Sequence, residues 1–453
     1  MTTSSDRTAP GRAIVVGGGI AGLSAAFRLR QAGFDVKVLE RADRVGGRMH
    51  TVDRGGYRID AAASVLPTTY RHTLRLIADA GLGGLTQPTC DVMGIARPER
   101  VHHLHSRKRT DLLRTKLLGP GSKLKLARVL GDLYRHRAAF NQPFTEELGR
   151  LDIETIADYG NRVLSAEAMD YFVRPLTGDF YLTPPEELSV VNLFLLLKTM
   201  IGADFINSDQ GIRFLPEGLA RQVSVETSAV VTSVEEHATG VTVTWDRPGS
   251  AERIESADVV VVAVPATEAP GILPRFSDEQ RGYLATVPYA RSLVVTLTLT
   301  KPPAEQAMWL TVPDHTHPDV NVVILDHNKA PGRVPPGAAM VTVYWHRHWA
   351  DKYWDTADDQ VLPRAIAAAH EVLPGIENTV VDGYVWRWDP CTVARPVGGF
   401  RALAEFTAGL DPDSRVQLAG DYFAITTVDN SVASGERAAG RLISRYSHPT
   451  TTR

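Results

Sequence analysis

The sequence predicts an α/β fold: a Rossmann-like parallel-sheet domain assembled from three separated pieces of chain, with an inserted, discontinuous α+β domain between them. Three observations predict it. Residues 13–16 (AIVV) are a β-branched run followed at once by GGGIAG and a helical pattern. A second continuous apolar strand, DVVVVAV at 258–264, suits a sheet covered on both faces, and a third strand signal returns only at 416–419. Between these pieces the texture is first helical and polar, then rich in strands.

In chain order, Leu23, Ala26, Phe27 and Leu29 keep one helical face apolar, Gly33 closes that helix, and Asp35 to Glu40 (DVKVLE) reads as the next strand of a βαβ unit. After Leu74 a helix is expected from Gly121-Ser122, with Leu126, Val129, Leu130 and Leu133 at helical spacing, and a second helical region from Ile153 to Ile201. Strands follow at Val223 to Trp245, Leu293 to Leu299, Val320 to Leu325 and Met340 to Trp345. The Pro/Gly-rich segment Lys329 to Gly337 reads as a surface loop, and HRHW at 346–349 as a surface feature at a strand end. A helix through Leu442 closes the chain. The expected partition is a nucleotide-binding domain from 1–73, 212–284 and 385–453, with a substrate-binding domain from 74–211 and 285–384.

The 453 residues carry 49 basic and 52 acidic side chains, and 43% are hydrophobic, which excludes disulfide scaffolds, collagen-like repeats and wholesale disorder. Cys90 and Cys391 form no CxxC, so neither a zinc ribbon nor a thioredoxin-type centre is available, and no metal site is expected. Residues 1–12 lack the apolar core of a secretory signal, and the run VVNLFLLL is far below the ~20 residues that span a bilayer. A cytoplasmic setting is the expectation.

Gly17, Gly19 and Gly22 form GxGxxG between a strand and a helix, with the acidic Glu40 ending the second strand. Gly17 permits the tight turn, Gly19 lets a pyrophosphate approach the backbone, and Gly22 lets the helix pack close to the strand. Ile20 and Ala21 open the helix whose N-terminus faces the phosphates. Glu40 can accept both ribose hydroxyls, and its charge would repel a 2′-phosphate. This motif alone leaves FAD and NAD open.

The continuation RADRVGGRMHT, with Arg41, Gly46, Gly47, Arg48 and Thr51, adds a GGRxxT extension that an NAD site does not require. Here the chain resembles the superfamily of flavin-containing amine oxidases, protoporphyrinogen oxidases and phytoene desaturases. The resemblance implies noncovalent FAD, with Gly46, Gly47 and Arg48 as cofactor contacts. It puts Asp60 at the family's D-x-G-x turn, where Ala62 replaces the glycine. FLPEGLARQVSVETSAVVTSVEE resembles the family's adenine-pairing segment, implying Val231; the stretch around Trp388 and Pro396 resembles the one lining the flavin. LAGDYF…SVASGERAA resembles the closing signature, implying Gly420 and Asp421 at the pyrophosphate and ribityl chain. A helix from about Asp429, with Asn430 and Ser431, would then aim at the flavin C2 carbonyl. Tyr422 and Phe423 are either an aromatic wall or core.

Family amine oxidases commonly hold a water against flavin N5 with a strand lysine. Aligning VPYARSLVVTLTLTKPP puts Val294 there, which implies dehydrogenation of a C-C or ring C-N bond of a small organic, secondary-metabolite or porphyrinogen-like substrate, with O2 or a quinone as acceptor. No catalytic acid or base is assigned. An amine oxidase is the alternative reading; a flavin-free carrier of an apolar ligand, as among the Rab escort relatives, is a non-enzyme one, opposed by the intact GxGxxG, Glu40 and GGR set. Cys391 lies near where covalent members attach FAD, and its spacing favours an inert thiol. Residues 97–137 hold twelve Lys/Arg against three Asp/Glu; this is a solvated face or a docking surface for an anionic substrate, a carrier protein or a membrane surface. No motif supports nucleic-acid binding.

Overall fold

A computed structural model describes residues 11–108, 110–141 and 146–446. Its first layer is a five-stranded parallel sheet in the order Ser224–Glu226, Asp35–Leu39, Arg12–Val16, Val259–Val262, Val416–Leu418. The strands are uninterrupted β-branched runs because both faces are covered. Ala13, Val15, Val36, Val38, Val259 and Val261 pack under helices Ile20–Gln31 and Val428–Tyr446. Ile14, Val16, Val260 and Val262 join the opposite core, with Trp245 of a three-stranded antiparallel sheet and helix Val190–Met200. That helix carries the VVNLFLLL run and is core; among the described residues no helix is long and apolar enough to cross a membrane.

The second layer is a seven-stranded sheet ordered Val380–Val393, Tyr289–Leu299, Ala339–Trp345, Val320–Leu325, Trp309–Thr311, Val92–Arg97, Arg100–His105. The first strand runs along Tyr289–Leu299 from Val380 opposite Leu299 to Val393 opposite Tyr289. The expected boundary at residue 385 therefore falls inside a strand, and the inserted sheet keeps the chain until Val393. Asp60, at the end of strand Tyr57–Asp60, ties the layers together: it accepts hydrogen bonds from Thr51 Oγ1 (2.7 Å) and the Ile212 N-H (3.0 Å) and pairs with Arg333 (2.9 Å).

Two expectations for the surface are corrected. Lys329 and Arg333, in the loop placed outside, are 1% and 0% exposed, because the carboxylates of Asp60 and Asp326 draw them in; Lys329 Nζ is 2.5 Å from Asp326. In HRHW, Trp349 is buried and stacks on Trp345 at 3.8 Å between ring centroids, so only Arg347 and His348 are exposed. The apolar ring wins that position because stacking removes its large surface from water.

Two predictions follow from these charges. Burial would raise the Asp60 carboxyl, but Arg333 and Lys329 hold it below the usual range. Asp60→Asn leaves Arg333 buried beside a neutral group, and urea melts are expected to show a loss of about 3 kcal/mol. Glu436 on the C-terminal helix meets Arg28 (2.6 Å), Arg75 (2.7 Å) and His72 (2.8 Å) from two other helices. Against the upward push of burial, these partners hold its carboxyl at about 2 instead of 4.5. Because the folded-state value is depressed, this stabilisation is complete above about pH 4.5 and is lost as pH falls toward 2. Glu436→Gln should cost about 2 kcal/mol at pH 7, allowing for solvent screening, and flatten the acid limb of a stability-pH curve.

Candidate active site

Where the two layers meet, a single cavity of about 580 Å3 runs from the glycine loop to the antiparallel sheet. The loop leaves strand Arg12–Val16 through Gly17, whose φ of +103° and whose closeness to the Ala263 carbonyl, 2.6 Å from any added Cβ, admit only glycine. Helix Ile20–Gln31 then begins at Gly19 with no side-chain cap and no acid in its first turn. The first turn is thus left without a capping side chain at the cavity, and a Cβ on Gly19 would meet nothing within 4 Å. Glu40, at the end of the second strand, accepts from the Gly18 N-H (2.6 Å) and the Ala42 N-H (2.8 Å), which orients the carboxylate at the cavity wall.

Of the residues singled out from the sequence, Gly17, Gly19, Ile20, Ala21, Glu40, Arg41, Gly46, Gly47, Arg48, Val231, Trp388, Gly420, Asp421 and Ser431 line this cavity. Three do not. Gly22 packs against the Gly17 carbonyl and Ala263, the close helix-strand contact expected of it. Asp429 turns away, accepting from the Thr73 N-H (2.7 Å) and Oγ1 (2.9 Å), and Asn430 donates to the Ile425 carbonyl (3.1 Å). The helix starts at Val428 and presents Thr427, Val428 and Ser431 to the cavity, so the expectation for Asp429 and Asn430 is corrected: the fold uses their side chains to anchor the helix start.

Arg48 and Asp421 face each other at 2.7 Å, and Asp421, 3% exposed, also accepts from Tyr289 Oη (3.0 Å) and Thr426 Oγ1 (2.9 Å). Arg48 donates as well to the Cys391 carbonyl. Burial opposes both charges, yet each partner stabilises the other: Arg48 is shifted up and Asp421 down. Tyr422 and Phe423 are core, 0% and 6% exposed, and do not line the cavity. Cys391 does line it; burial pushes its thiol up to about 11, so it stays protonated and unreactive at neutral pH.

At the far end Val294 stands on strand Tyr289–Leu299 between Tyr344 and Trp386, and no lysine is among the described residues lining the cavity. The wall here is Phe180, Phe205, Trp309, Ile324 and Tyr344, with one acid, Asp179, among them. None of these was singled out from the sequence. They come from a helix and four strands far apart in the chain, and GDFY at 178–181 has no spacing that sets it apart from any amphipathic helix. No described residue of 97–137 lines the cavity, and His103 and His105 sit in separate pairs with Glu305 and Asp111.

The profile of the flavin containing amine oxidoreductase family matches residues 20–443. Coproporphyrinogen III oxidase of Mycobacterium tuberculosis is 26% identical over 464 residues, covering 95% of this chain and 96% of that one. 1-Hydroxycarotenoid 3,4-desaturase of a Flavobacterium species is 48% identical over 54 residues, 12% of this chain and 11% of its own, and L-amino-acid oxidase of Demansia vestigiata is 27% identical over 316 residues, 64% and 58%, so the chain spans less than two thirds of the length of these two relatives. Among solved structures, wild-type putrescine oxidase bound to putrescine superposes with a TM-score of 0.75 at 19% identity, over 96% of this chain and 99% of that one. Cyclohexylamine oxidase from Brevibacterium oxydans does so with 0.75 at 18%, over 97% and 100%. The structural likenesses show a shared fold, a Rossmann-like domain carrying a substrate domain; the sequence match, spanning most of the chain, shows that the protein belongs to the flavin-containing amine oxidoreductase family and is an oxidoreductase.

Proposed function

We propose that the protein is an FAD-dependent oxidase that dehydrogenates a C-C or ring C-N bond of a small organic substrate, with O2 as the electron acceptor. The observation that carries this reading is the single cavity joining a phosphate-type glycine loop to an apolar, aromatic-lined chamber. The residues fit a dinucleotide: a helix start at the cavity with no side-chain cap and no acid in its first turn, empty space at the Gly19 Cβ position, and an oriented carboxylate at Glu40.

In this reading Gly19, Ile20 and Ala21 bind the pyrophosphate and Glu40 the ribose hydroxyls. Val231 lies at the adenine, and Gly46, Gly47, Gly420 and Trp388 shape the remainder of the cofactor cleft. Arg48 and Asp421 keep opposite sides of that cleft in register. A flavin held there would supply the two-electron oxidation of the substrate, with O2 as the terminal acceptor. The chain contributes position and dryness: Val294, Ile324, Trp309 and Phe180 exclude water from the chamber, and the neutral thiol of Cys391 leaves the cofactor noncovalent. Val294 at the lysine position favours a carbon or ring-nitrogen donor over a primary amine, and the nearly full-length match to a coproporphyrinogen III oxidase agrees. One observation favours the amine oxidase reading instead, the carboxylate of Asp179 in the chamber.

Purified protein is expected to be yellow and to release FAD on denaturation, identified by chromatography of the supernatant; release of FMN or of no flavin would overturn the assignment. Gly19→Val should leave the Tm of the flavin-free protein unchanged yet bind FAD at least roughly tenfold more weakly, since its side chain enters only cofactor space. Gly22→Val, which meets the Gly17 carbonyl, should instead lower Tm. Cys391→Ser should keep the colour. Anaerobic mixing separates the two chemistries: cyclic or unsaturated substrates should bleach the flavin faster than simple primary amines, and the reverse order would establish the amine oxidase.

A further inference from the structure

The helix that ends at the chamber is irregular on both sides. It follows a π-helical segment, Met169–Val173, and after Tyr181 the chain passes through Leu182 in the left-handed region, with φ of +53° and ψ of +30°. The Leu182 N-H closes the helix on the Gly178 carbonyl (3.1 Å). Such a helix stop is ordinarily a glycine, because a Cβ there crowds the backbone and a bulky side chain fares worst. Among the described residues Leu182 and Ser228 are the two non-glycines that take a positive φ.

The neighbours of Leu182 account for the conformation but not for the residue. Buried Tyr181 donates from Oη to the Asn192 carbonyl (2.8 Å), buried Thr183 donates from Oγ1 to the Tyr181 carbonyl (2.9 Å), and the Pro185 carbonyl accepts from the Ala157 N-H (3.1 Å). With the chain pinned on both sides, position 182 has to turn sharply, and glycine would do so without strain. Nor does the side chain serve a core. Leu182 is 8% exposed, yet it belongs to none of the hydrophobic cores formed by the described residues, and it lines the cavity together with Phe180, Phe205, Trp309 and Ile324.

We infer that Leu182 is a specificity-determining residue: its isobutyl group fills part of the chamber and sets the largest apolar body that fits. The inference rests on the cavity being the substrate chamber of a flavin oxidase. A backbone held against its preference at a cavity wall is the kind of strain that a site retains for what the side chain does there. A glycine would relieve the backbone and leave the chamber larger, because a packed interior closes only partly around a missing side chain and the apolar space left behind takes apolar ligands. The rest of this wall cannot yield in its place. Phe180 stacks on Trp309 with ring centroids 6.2 Å apart and planes at 18°, and Trp309 on Phe205 at 6.5 Å and 27°, so widening the chamber there would need three large rings to move together.

The test uses the full chain with its flavin and a ladder of primary alcohols from butanol to decanol, read by isothermal titration calorimetry. In wild type the affinity should rise about fourfold with each added methylene until the chamber is full, and then stop rising. Leu182→Gly, which removes the whole side chain, should extend the rise by about three further methylenes and Leu182→Ala by about two, with the shortest alcohols bound as in wild type. Leu182→Gly should also melt no lower than Leu182→Ala, since this φ favours glycine. A rise that stops at the same chain length in wild type and Leu182→Gly, or a loss of affinity for short and long alcohols alike, would overturn the inference. If Leu182→Gly does not fold, Leu182→Ala carries the same comparison; failure of both to fold would show that the side chain serves the fold and would overturn it as well. Calorimetry does not need the flavin, so a chain that retains no FAD yet has a limit that moves with residue 182 would overturn the cofactor reading alone.

Discussion

The ion pair between Arg48 and Asp421 is the constraint on which the site depends. Its partners are 373 residues apart, one in the segment after the second parallel strand and one just past the last. A buried ion pair gains little net stability, because the desolvation of both charges offsets most of their attraction. What this pair fixes is geometry. Asp421 is also bonded to Tyr289 of the inserted sheet and to Thr426 ahead of the C-terminal helix, while Arg48 holds a carbonyl on strand Val380–Val393. Four segments are thereby brought to one point, and with a low-dielectric surround none can drift without stranding a charge.

Close backbone approach does the same for the helices. A side chain at Gly22 would strike the Gly17 carbonyl, and one at Gly435 would strike the Ala21 carbonyl and Ser24. The first helix therefore lies tightly on its strand and against the C-terminal helix, and both helices begin at the cavity. Their positions follow from missing side chains more than from attractive contacts. Glu436, meeting Arg28 and the second helix, adds a polar clasp on the outer side of that pair.

The parallel-sheet half was legible in the sequence because its signals are local. A strand, a glycine turn, a helix and an acid occur within thirty residues of one another, and each has a backbone reason to be where it is. The inserted half was legible as elements but not as a site. Asp179, Trp309, Ile324 and Tyr344 meet only through the pairing order of the seven-stranded sheet, which no short spacing encodes. The inward turn of Lys329 and Arg333 in the loop at Lys329 to Gly337, whose Pro331, Gly332, Pro336 and Gly337 are exposed, has the same origin. Proline and glycine signal a turn correctly, but they are silent about whether distant carboxylates, here Asp60 and Asp326, draw its cations inward. Asp429 shows the converse: its place at a helix start was readable, while its bond to Thr73 on another helix was not.

Charge along the cavity is distributed unevenly. At the glycine-loop end the charged groups are held by partners: Glu40 by two backbone N-H groups, Arg41 by Glu268 and Arg48 by Asp421. Those charges are paired before anything binds, and a preorganised set of dipoles need not rearrange. At the other end one carboxyl, Asp179, has no counterpart among apolar and aromatic walls.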